Sequence, residues 1–328
     1  MTGDLAARDG SVRSDRGDGL EIAVVGAGAV GATAAYDLAR RGADVTVYDS
    51  GAVASGSSGQ AAGVCYDAVA TEPSALAGRF PALRADDVAV AGVTEGAGYA
   101  DPGAYTACLA ENAVAEGATL ATHTPVTVET DPPRVVPQDG SSRAVGGVLV
   151  AAGAHSKRLL AAAGVPIAMK PYRVQALVTA ADVTEPMWYD ATAGCYARPH
   201  PDGLLAGNGT EAVEADPNTY DRDANPEFAA SLTDRLVHRL PDLQPDIQRA
   251  WAGLCTATPD REPLVGRLRE GLYVATGFQG QGFMRAPATG RRIAEQLLGG
   301  SGIDAFDPTR FSGDESFRVR EGMSVTDE

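Results

Sequence analysis

The clearest pattern in the chain is an apolar run, a glycine-rich turn and a second apolar run near the N-terminus. Residues 21–25 predict a short buried β-strand. Residues 32–41 have the composition of a helix, which Gly42 ends. Residues 45–48 predict a second strand that ends at Asp49. Together these elements predict a βαβ unit.

Further along the chain the pattern changes twice. Residues 103–116 predict a helix and residues 147–150 another buried strand. From about 165 to 250 the pattern indicates antiparallel strands and one amphipathic helix, and after 250 it returns to a strand, a glycine-rich turn and a helix. The elements predicted in these two later parts are strands at 170–179 and 194–207, a helix at 226–240, a strand at 271–275 and a helix at 282–298.

The turn inside the βαβ unit carries Gly26, Gly28 and Gly31. In a dinucleotide site the first glycine permits the tight turn, the second lets the backbone approach a pyrophosphate, and the third lets helix and strand pack closely. The N–H groups of the helix N-terminus bind the phosphates. Asp49 stands where a carboxylate accepts ribose hydroxyls. We therefore favour an NAD or FAD site over a structural glycine turn, with further contacts at Ala29, Val30 and Ser50.

Two features favour FAD over NAD. Residues 55–59 are small or hydroxylated and suit the diphosphate and isoalloxazine, although a flexible surface loop would have the same composition. In residues 271–283 a strand again runs into a glycine turn and a helix. The positive end of that helix suits the flavin edge where negative charge collects on reduction. In the first loop we expect contacts from Ser57, Ser58, Ala62 and Gly63.

Seven pieces of sequence follow one another in a fixed order: residues 26–49, 55–63, 98–102, 150–156, 171–175, 196–199 and 251–287. In that order they resemble the D-amino-acid oxidase, glycine oxidase and sarcosine oxidase superfamily of FAD-dependent oxidoreductases. The resemblance implies an α/β fold with a Rossmann-like FAD-binding domain built from separated segments, and a mainly antiparallel β-sheet substrate domain. We place the FAD domain at 20–164 with 250–312, the substrate domain at 165–249, a disordered lead at 1–19 and a disordered acidic tail at 313–328.

The resemblance also implies the chemistry. A hydride passes from the carbon next to the amine nitrogen to flavin N5, and water hydrolyses the resulting imine. The backbone of Val126 is implied to lie near the adenine. The other implied cofactor contacts are Ala152, Gly153, Gly253, Gly277, Phe278, Gly280, Gln281, Gly282, Phe283 and Met284.

The chain departs from the family in the segment before residue 98 and at its substrate anchors. Relatives insert a longer, mostly helical segment there that helps to cover the flavin. Cys255 stands where glycine-oxidase-like members place an arginine for the substrate carboxylate. Met284 and Gly63 stand where monomeric sarcosine oxidases have a lysine and an arginine.

A carboxylate substrate still needs a cation, and a guanidinium binds it with two parallel hydrogen bonds. Arg198, Arg285 and Arg173 are the candidates, and for each the alternative is a structural or surface arginine. Arg198 leads because it lies on a predicted substrate-domain strand beside Tyr196.

Two further departures concern the flavin itself. Leu205 is the approximate counterpart of the lysine that promotes the reaction of sarcosine oxidases with oxygen. Gly253 stands where those enzymes attach FAD to a cysteine. We therefore expect non-covalent FAD and slow oxygen reactivity, with O2 or an electron carrier as the acceptor.

Charge and composition narrow the setting. The formal net charge is −16, and Lys157 and Lys170 are the only lysines. Such a surface suits molar salt, which predicts a haloarchaeal cytoplasm, and it disfavours nucleic acid, which needs a basic face. We see no membrane-spanning apolar run, no metal-ligand spacing and no disulfide framework among the four cysteines.

The main hypothesis is an FAD-dependent oxidase or dehydrogenase of a small amino acid or N-methyl amino acid. One alternative is an NAD-dependent dehydrogenase with the same βαβ opening. The other is a flavin-binding electron-transfer partner without substrate turnover of its own, which the short segment and the altered anchors keep open.

Overall fold

The computed structural model describes residues 17–65, 69–71, 73–93, 96–183 and 185–320. The strands in these ranges are β1 Glu21–Val25, β2 Asp44–Tyr48, β3 Val64–Cys65, β4 Val69–Thr71, β5 Ala91–Val93, β6 Gly98–Tyr99, β7 Thr119–Ala121, β8 Val126–Thr130, β9 Pro133–Pro137, β10 Arg143–Ala144, β11 Gly147–Val150, β12 Lys170–Ala180, β13 Trp188–Asp190, β14 Cys195–His200, β15 Gly203–Gly207, β16 Asp246–Ala257, β17 Leu264–Arg269 and β18 Leu272–Thr276. The helices are α1 Ala29–Arg40, α2 Ser57–Gln60, α3 Pro73–Arg79, α4 Pro102–Ala115, α5 Ser156–Ala162, α6 Pro226–Arg239 and α7 Gly282–Leu297.

The larger sheet has six strands in the order β17-β18-β11-β1-β2-β7. Its neighbours pair in parallel except β17 and β18, so the carboxyl ends of β18, β11, β1 and β2 meet at one edge. The predicted βαβ unit is confirmed as β1-α1-β2. The helix begins at Ala29 and not at residue 32, because the turn before it needs only two residues after Gly26.

This sheet is covered on both faces, which explains why its central strands β1 and β11 are almost entirely apolar. On one face α1 packs against α7 and α4, and their apolar side chains bury Val24, Val47 and Leu149. On the other face Val148, Val150 and neighbouring residues pack against the small antiparallel sheet β10-β9-β8 and α5. The site described below therefore stands on a rigid, fully buried frame.

The second sheet is antiparallel with the order β13-β14-β15-β12-β16. One of its faces packs on α6, where Leu177, Ala197 and Ala206 contact Leu232 and Leu236. The fold class expected from the sequence, a parallel Rossmann-like sheet with a mainly antiparallel second sheet, is confirmed.

Two strands late in the chain differ from the sequence prediction. The pattern did not predict β16 or β17, and β16 pairs with β12 as far as Ala257, beyond the boundary that we placed at 250. Three of the first four residues of β16 are polar, and all four are exposed, so period-2 alternation is weak. Tertiary pairing with β12 makes this segment a strand.

The ends of the described chain are ordered. The N–H of Gly17 bonds to the carbonyl of Arg41, so residues 17–19 are not a disordered lead. Residues 313–320 were predicted as disordered tail, and this is wrong, because Val319 is buried against Tyr172 and Ala257. The acidic residues around 314 favoured a prediction of disorder, although Phe317 and Val319 make apolar contacts. The rest of the predicted lead and tail, 1–16 and 321–328, lies outside the described residues.

Candidate active site

The glycine loop after β1 has a backbone that admits no side chain at two positions. Gly26 has φ +115°, and a Cβ there would lie 2.4 Å from the carbonyl oxygen of Ala151. A Cβ at Gly31 would lie 2.0 Å from the carbonyl oxygen of Gly26. Gly28 has an ordinary φ of −81°, and a Cβ there would meet Ser58 Oγ at 3.0 Å. The loop leads directly into the first turn of α1, and N–H groups at a helix N-terminus suit a phosphate.

The carboxylate of Asp49 is fixed at the end of β2. Its Oδ2 accepts the N–H of Ala27 at 2.7 Å, and its Oδ1 accepts the N–H of Gly51 at 2.8 Å. The N–H of Thr124 donates to the backbone carbonyl of Asp49 at 2.7 Å, which brings the start of β8 at Val126 to the same strand end. The residues expected near an adenosine are thus assembled side by side.

Helix α2 ties the glycine loop to the second sheet. Ser58 Oγ accepts the N–H of Ala29 at 2.9 Å, and Ser57 Oγ donates to a backbone carbonyl of β16 at 2.6 Å. A Cβ at Gly253 of β16 would lie 2.8 Å from Gln60 Oε1. Gln60 is not among the residues predicted from the sequence, because nothing local shows that its side chain fills the space left by a distant glycine.

The end of the Ser/Gly loop is fixed by a tight backbone crossing. Gly63 has φ +68°, and a Cβ there would lie 2.0 Å from the carbonyl oxygen of Ala100. The N–H of Ala100 donates to the carbonyl of Gly63 at 2.9 Å. Glycine is therefore required at this position, and the crossing leaves the carbonyl of Ala62 facing the second sheet.

The glycine turn after β18 lies against β16. Gly277 and Gly280 have φ of +78° and +82°. The N–H of Phe278 donates to Thr256 Oγ1 at 3.2 Å, and the next N–H, that of Gln279, donates to the Thr256 carbonyl at 2.8 Å. Helix α7 then begins at Gly282 with Gln281 as its N-cap, so Phe283 and Met284 lie in its first turn.

The strand end of β11 completes this edge. Ala152 and Gly153 follow β11, and the carbonyl of Gly153 accepts Thr276 Oγ1 at 3.0 Å. Ser156 is fully buried, and its Oγ has no hydrogen-bond partner among the described residues. A buried hydroxyl without a partner is costly, so this position suits a ligand atom.

The second sheet presents one face to these loops. Tyr196 and Arg198 project from the same side of β14, since side chains alternate along a strand. Tyr196 pairs with Gly207, Gly207 with Ala176, and Ala176 with Trp251. The same face therefore continues along β16 and carries Trp251, Gly253 and Cys255.

Arg198 is 6% exposed. Its Nε donates to the carbonyl of Ala62 at 2.5 Å, its Nη1 donates to the carbonyl of Pro199 at 2.7 Å, and its Cζ lies 4.7 Å from the ring centroid of Tyr99. Within the described part of the chain it makes no ion pair, and its Nη2 has no hydrogen-bond partner. Burial lowers the pKa of the guanidinium, and the electrostatic influence of nearby Tyr99, Tyr196 and Asp101 opposes that shift.

Known proteins resemble the chain over most of its length. The model of the family described as FAD dependent oxidoreductase (DAO) matches residues 21–78 and 70–296. The chain belongs to this family. The prediction of FAD as cofactor is confirmed, and the NAD alternative is wrong.

Individual relatives agree with the family. Glycine oxidase of Geobacillus kaustophilus is 30% identical over 223 residues, which cover 66% of this chain and 58% of that enzyme. D-amino-acid oxidase of Bradyrhizobium diazoefficiens is 31% identical over 226 residues, covering 64% and 52%. The chain thus spans about half the length of the curated relatives it matches. The crystal structure of L-proline dehydrogenase from P. horikoshii has a TM-score of 0.80 at 27% identity and covers 89% of this chain and 98% of that one.

The residues at the strand edge fit FAD. The glycine loop, with no side chain at Gly28, and the first turn of α1 suit the pyrophosphate. Asp49 suits the ribose, and the orphan hydroxyl of Ser156 offers a hydrogen bond. No cluster with metal-ligand geometry exists among the described residues.

Arg173 does not belong to this site. It lies on β12 directly opposite Leu254, on the face of the sheet that turns away from the Ser/Gly loop. Its guanidinium pairs with Glu211 and also donates to the carbonyls of Asp221 and Asp223. These contacts support a structural role for Arg173, which the sequence could not indicate because strand register decides which face a side chain occupies.

Arg285 is also directed elsewhere. Its Nη1 pairs with Glu262 Oε2 at 2.9 Å, and its Cζ lies 5.7 Å from the ring centroid of Phe306. Both partners belong to the FAD domain, so the structure leaves Arg198 as the candidate anchor among the three arginines.

Burial sets the charge of two other side chains near Arg198. It raises the pKa of Tyr196, so the phenol stays neutral. It also raises the pKa of the Cys255 thiol to about 11, although a hydrogen bond with Tyr172 opposes the shift. Neither group is a base at neutral pH. No helix in the described ranges is long and apolar enough to cross a membrane.

Proposed function

We propose that this protein oxidises the CH–NH bond of a small amino acid or N-methyl amino acid, with Arg198 binding the substrate carboxylate. The observation that supports this is the buried guanidinium of Arg198, which makes no ion pair in the described residues and has a free Nη2 edge. A buried charge without a counter-ion is costly, and a bound carboxylate would supply one.

The relatives support an amino-acid substrate. By name they are a glycine oxidase, a D-amino-acid oxidase and an L-proline dehydrogenase. Each name refers to an α-amino acid, which has an α-carboxylate and a primary or secondary amine. A single arginine on the sheet face suits one carboxylate of such a substrate.

When bound, FAD supplies a hydride acceptor at N5. The chain's own residues contribute binding, orientation and exclusion of water. Arg198 holds the carboxylate with the Tyr99 ring stacked on its guanidinium, and this fixes where the adjacent CH–NH carbon lies. Tyr196 and Cys255 stay protonated, so neither of them acts as a base, and the amine enters neutral. Water hydrolyses the imine after the carbon has lost its hydride.

We also propose non-covalent FAD and an electron carrier as the preferred acceptor. Gly253 has no side chain to attach a flavin, and Gln60 fills the space beside it. Leu205 lies beside Arg198 in the sheet and is buried, so no ammonium group assists reaction with oxygen there.

The test is the visible spectrum of the protein, purified in molar KCl because of its net charge of −16. Sarcosine, glycine, proline and D-alanine are added one at a time without oxygen. The proposal expects a flavin spectrum that bleaches with at least one of them. Reoxidation by air should be slower than reoxidation by an artificial acceptor dye.

A flavin spectrum that no amino acid bleaches would favour the second candidate, a flavin-binding electron-transfer partner. The short segment between the Ser/Gly loop and β6 is the feature that supports this candidate. In that case a reduced partner or dithionite, but no amine, would bleach the flavin.

A further inference from the structure

The C-terminal segment, residues 313–320, lies along the sheet face that carries Cys255. Its side chains alternate: Phe317 and Val319 point inward, while Arg318 is exposed. Val319 is 5% exposed and packs with Tyr172 and Ala257. Because alternation over several residues matches a strand-like path, the segment has one side for the protein and one for solvent.

The start and the middle of this segment lie against other parts of the molecule. Gly313 has φ +100°, and a Cβ there would lie 2.6 Å from the carbonyl oxygen of Pro166. Lys170 Nζ donates to the carbonyl of Phe317 at 2.6 Å and lies 4.7 Å from the centroid of its ring. A segment held by backbone, charge and apolar contacts is part of the folded structure.

The far end of the C-terminal segment reaches the glycine turn after β18. Gln279 Nε2 donates to the carbonyl of Arg320 at 2.6 Å, and Gln279 Oε1 accepts the N–H of Thr258 at 3.4 Å. Gln279 is 3% exposed and has φ +54°, between Gly277 and Gly280. Left-handed backbone is unfavourable for glutamine, so it persists where the surroundings over-determine it.

We infer that Gln279 is a positioning residue for FAD and that the C-terminal segment acts through it. The turn from Gly277 to Gly280 lies along the expected flavin site, and the Gln279 side chain joins it to the carbonyl of Arg320 and to the N–H of Thr258. These two hydrogen bonds hold the turn in place. The inference rests on FAD as cofactor and not on the proposed substrate.

The experiment measures FAD release from the purified holoprotein, followed as the rise in flavin fluorescence after dilution, together with the absorption band of the bound flavin. Gln279→Gly relieves the backbone but removes both side-chain bonds. We expect it to release FAD about tenfold faster. Phe317→Ala loosens the C-terminal segment without touching the turn, and we expect release about tenfold faster as well.

A double variant separates positioning from mere stability. If the segment acts through Gln279, the two changes together should release FAD within about threefold of the faster single variant. The bound-flavin band should shift in the same way in both single variants. Arg318→Ala, an outward residue of the same segment, is the matched control and should stay within about twofold of wild type.

Two results would overturn the inference. One is wild-type FAD release from Gln279→Gly, even with a lower melting temperature. The other is multiplied effects in the double variant, because Gln279 and the segment would then act independently. Substrate bleaching is read separately in each variant, so failure of this inference and failure of the proposed function are distinguishable.

Discussion

The guanidinium of Arg198 stacks on Tyr99, with 4.7 Å from Cζ to the ring centroid. Tyr99 lies on β6, which pairs with β3 directly after the Ser/Gly loop. The pairing brings an aromatic ring from the FAD-domain side over a cation from the second sheet. The ring stabilises the cation and covers one of its faces, and the Nη2 edge, which has no hydrogen-bond partner among the described residues, is the candidate contact for a ligand.

Replacing Arg198 by Ala tests that open edge. We expect KM for the amino acid that bleaches the flavin to rise about 100-fold, because a charge-assisted bidentate contact is lost. FAD content should not change. The KM of Arg198→Lys should lie between those of wild type and Arg198→Ala, since lysine keeps the charge but not the planar fork.

The matched control is Arg222→Ala, an exposed arginine whose guanidinium stacks on Tyr220. Steady-state kinetics should give it a KM within about twofold of wild type. An unchanged KM in Arg198→Ala would remove Arg198 from the site.

Arg173→Ala should affect stability and not KM. The change removes hydrogen bonds to Asp221 and Asp223 and the ion pair with Glu211, whose carboxylate keeps hydrogen bonds from Gln175 and Asn225. We expect about 2–3 kcal/mol less unfolding free energy, below the value for a fully buried pair because Glu211 is partly exposed. Urea unfolding measures it. A large rise in KM with unchanged stability would place Arg173 in the site after all.

Gly28 and Gly31 should respond differently to alanine. At Gly31 the new Cβ would lie 2.0 Å from a backbone oxygen, so Gly31→Ala should unfold or lose FAD completely. Gly28→Ala has a permitted φ and meets only a serine hydroxyl. Its circular dichroism should be that of wild type while FAD binds about tenfold more weakly, because the methyl group occupies the phosphate approach. If Gly28→Ala bound FAD as tightly as wild type, the pyrophosphate would have to bind elsewhere.

Acid stability should depend on Asp87. Hydrogen bonds from His238 and Arg239 lower the pKa of Asp87 to about 2. A depressed folded-state pKa contributes stability above the unfolded value near 4, and that contribution disappears as pH falls toward 2. Asp87→Asn should therefore melt at a lower temperature than wild type at pH 6, and the gap should close between pH 4 and about pH 2. A gap that is the same at both ends of this range would contradict the assignment.

Local sequence was sufficient to predict the parts of the site that are formed by residues close together in the chain. The strand, the three glycines, the helix and Asp49 lie within one βαβ unit. Their spacing alone predicts both the turn and the dinucleotide, because the backbone constraints act over a few residues. Cofactor type needed the second glycine turn from far along the chain.

The substrate side of the site was not predictable in the same way. The sequence placed Arg198 first but kept Arg173 and Arg285 as candidates, and β16 had too weak an alternation to be recognised as a strand. Strand register decides which face a side chain occupies, and a shift of one residue reverses it. Only pairing across β14, β15, β12 and β16 places Arg198 toward the Ser/Gly loop and Arg173 away from it.

The sequence by itself determined the family, the FAD cofactor and the glycine loop, because these follow from short-range backbone geometry and from motifs kept in order. Tertiary structure decided which arginine has an open edge, that Gln60 lies beside Gly253, and that the C-terminal segment reaches Gln279. These relationships join residues far apart in the chain. Their contacts exist only after the two sheets and the C-terminal segment have packed, so no local pattern contains them.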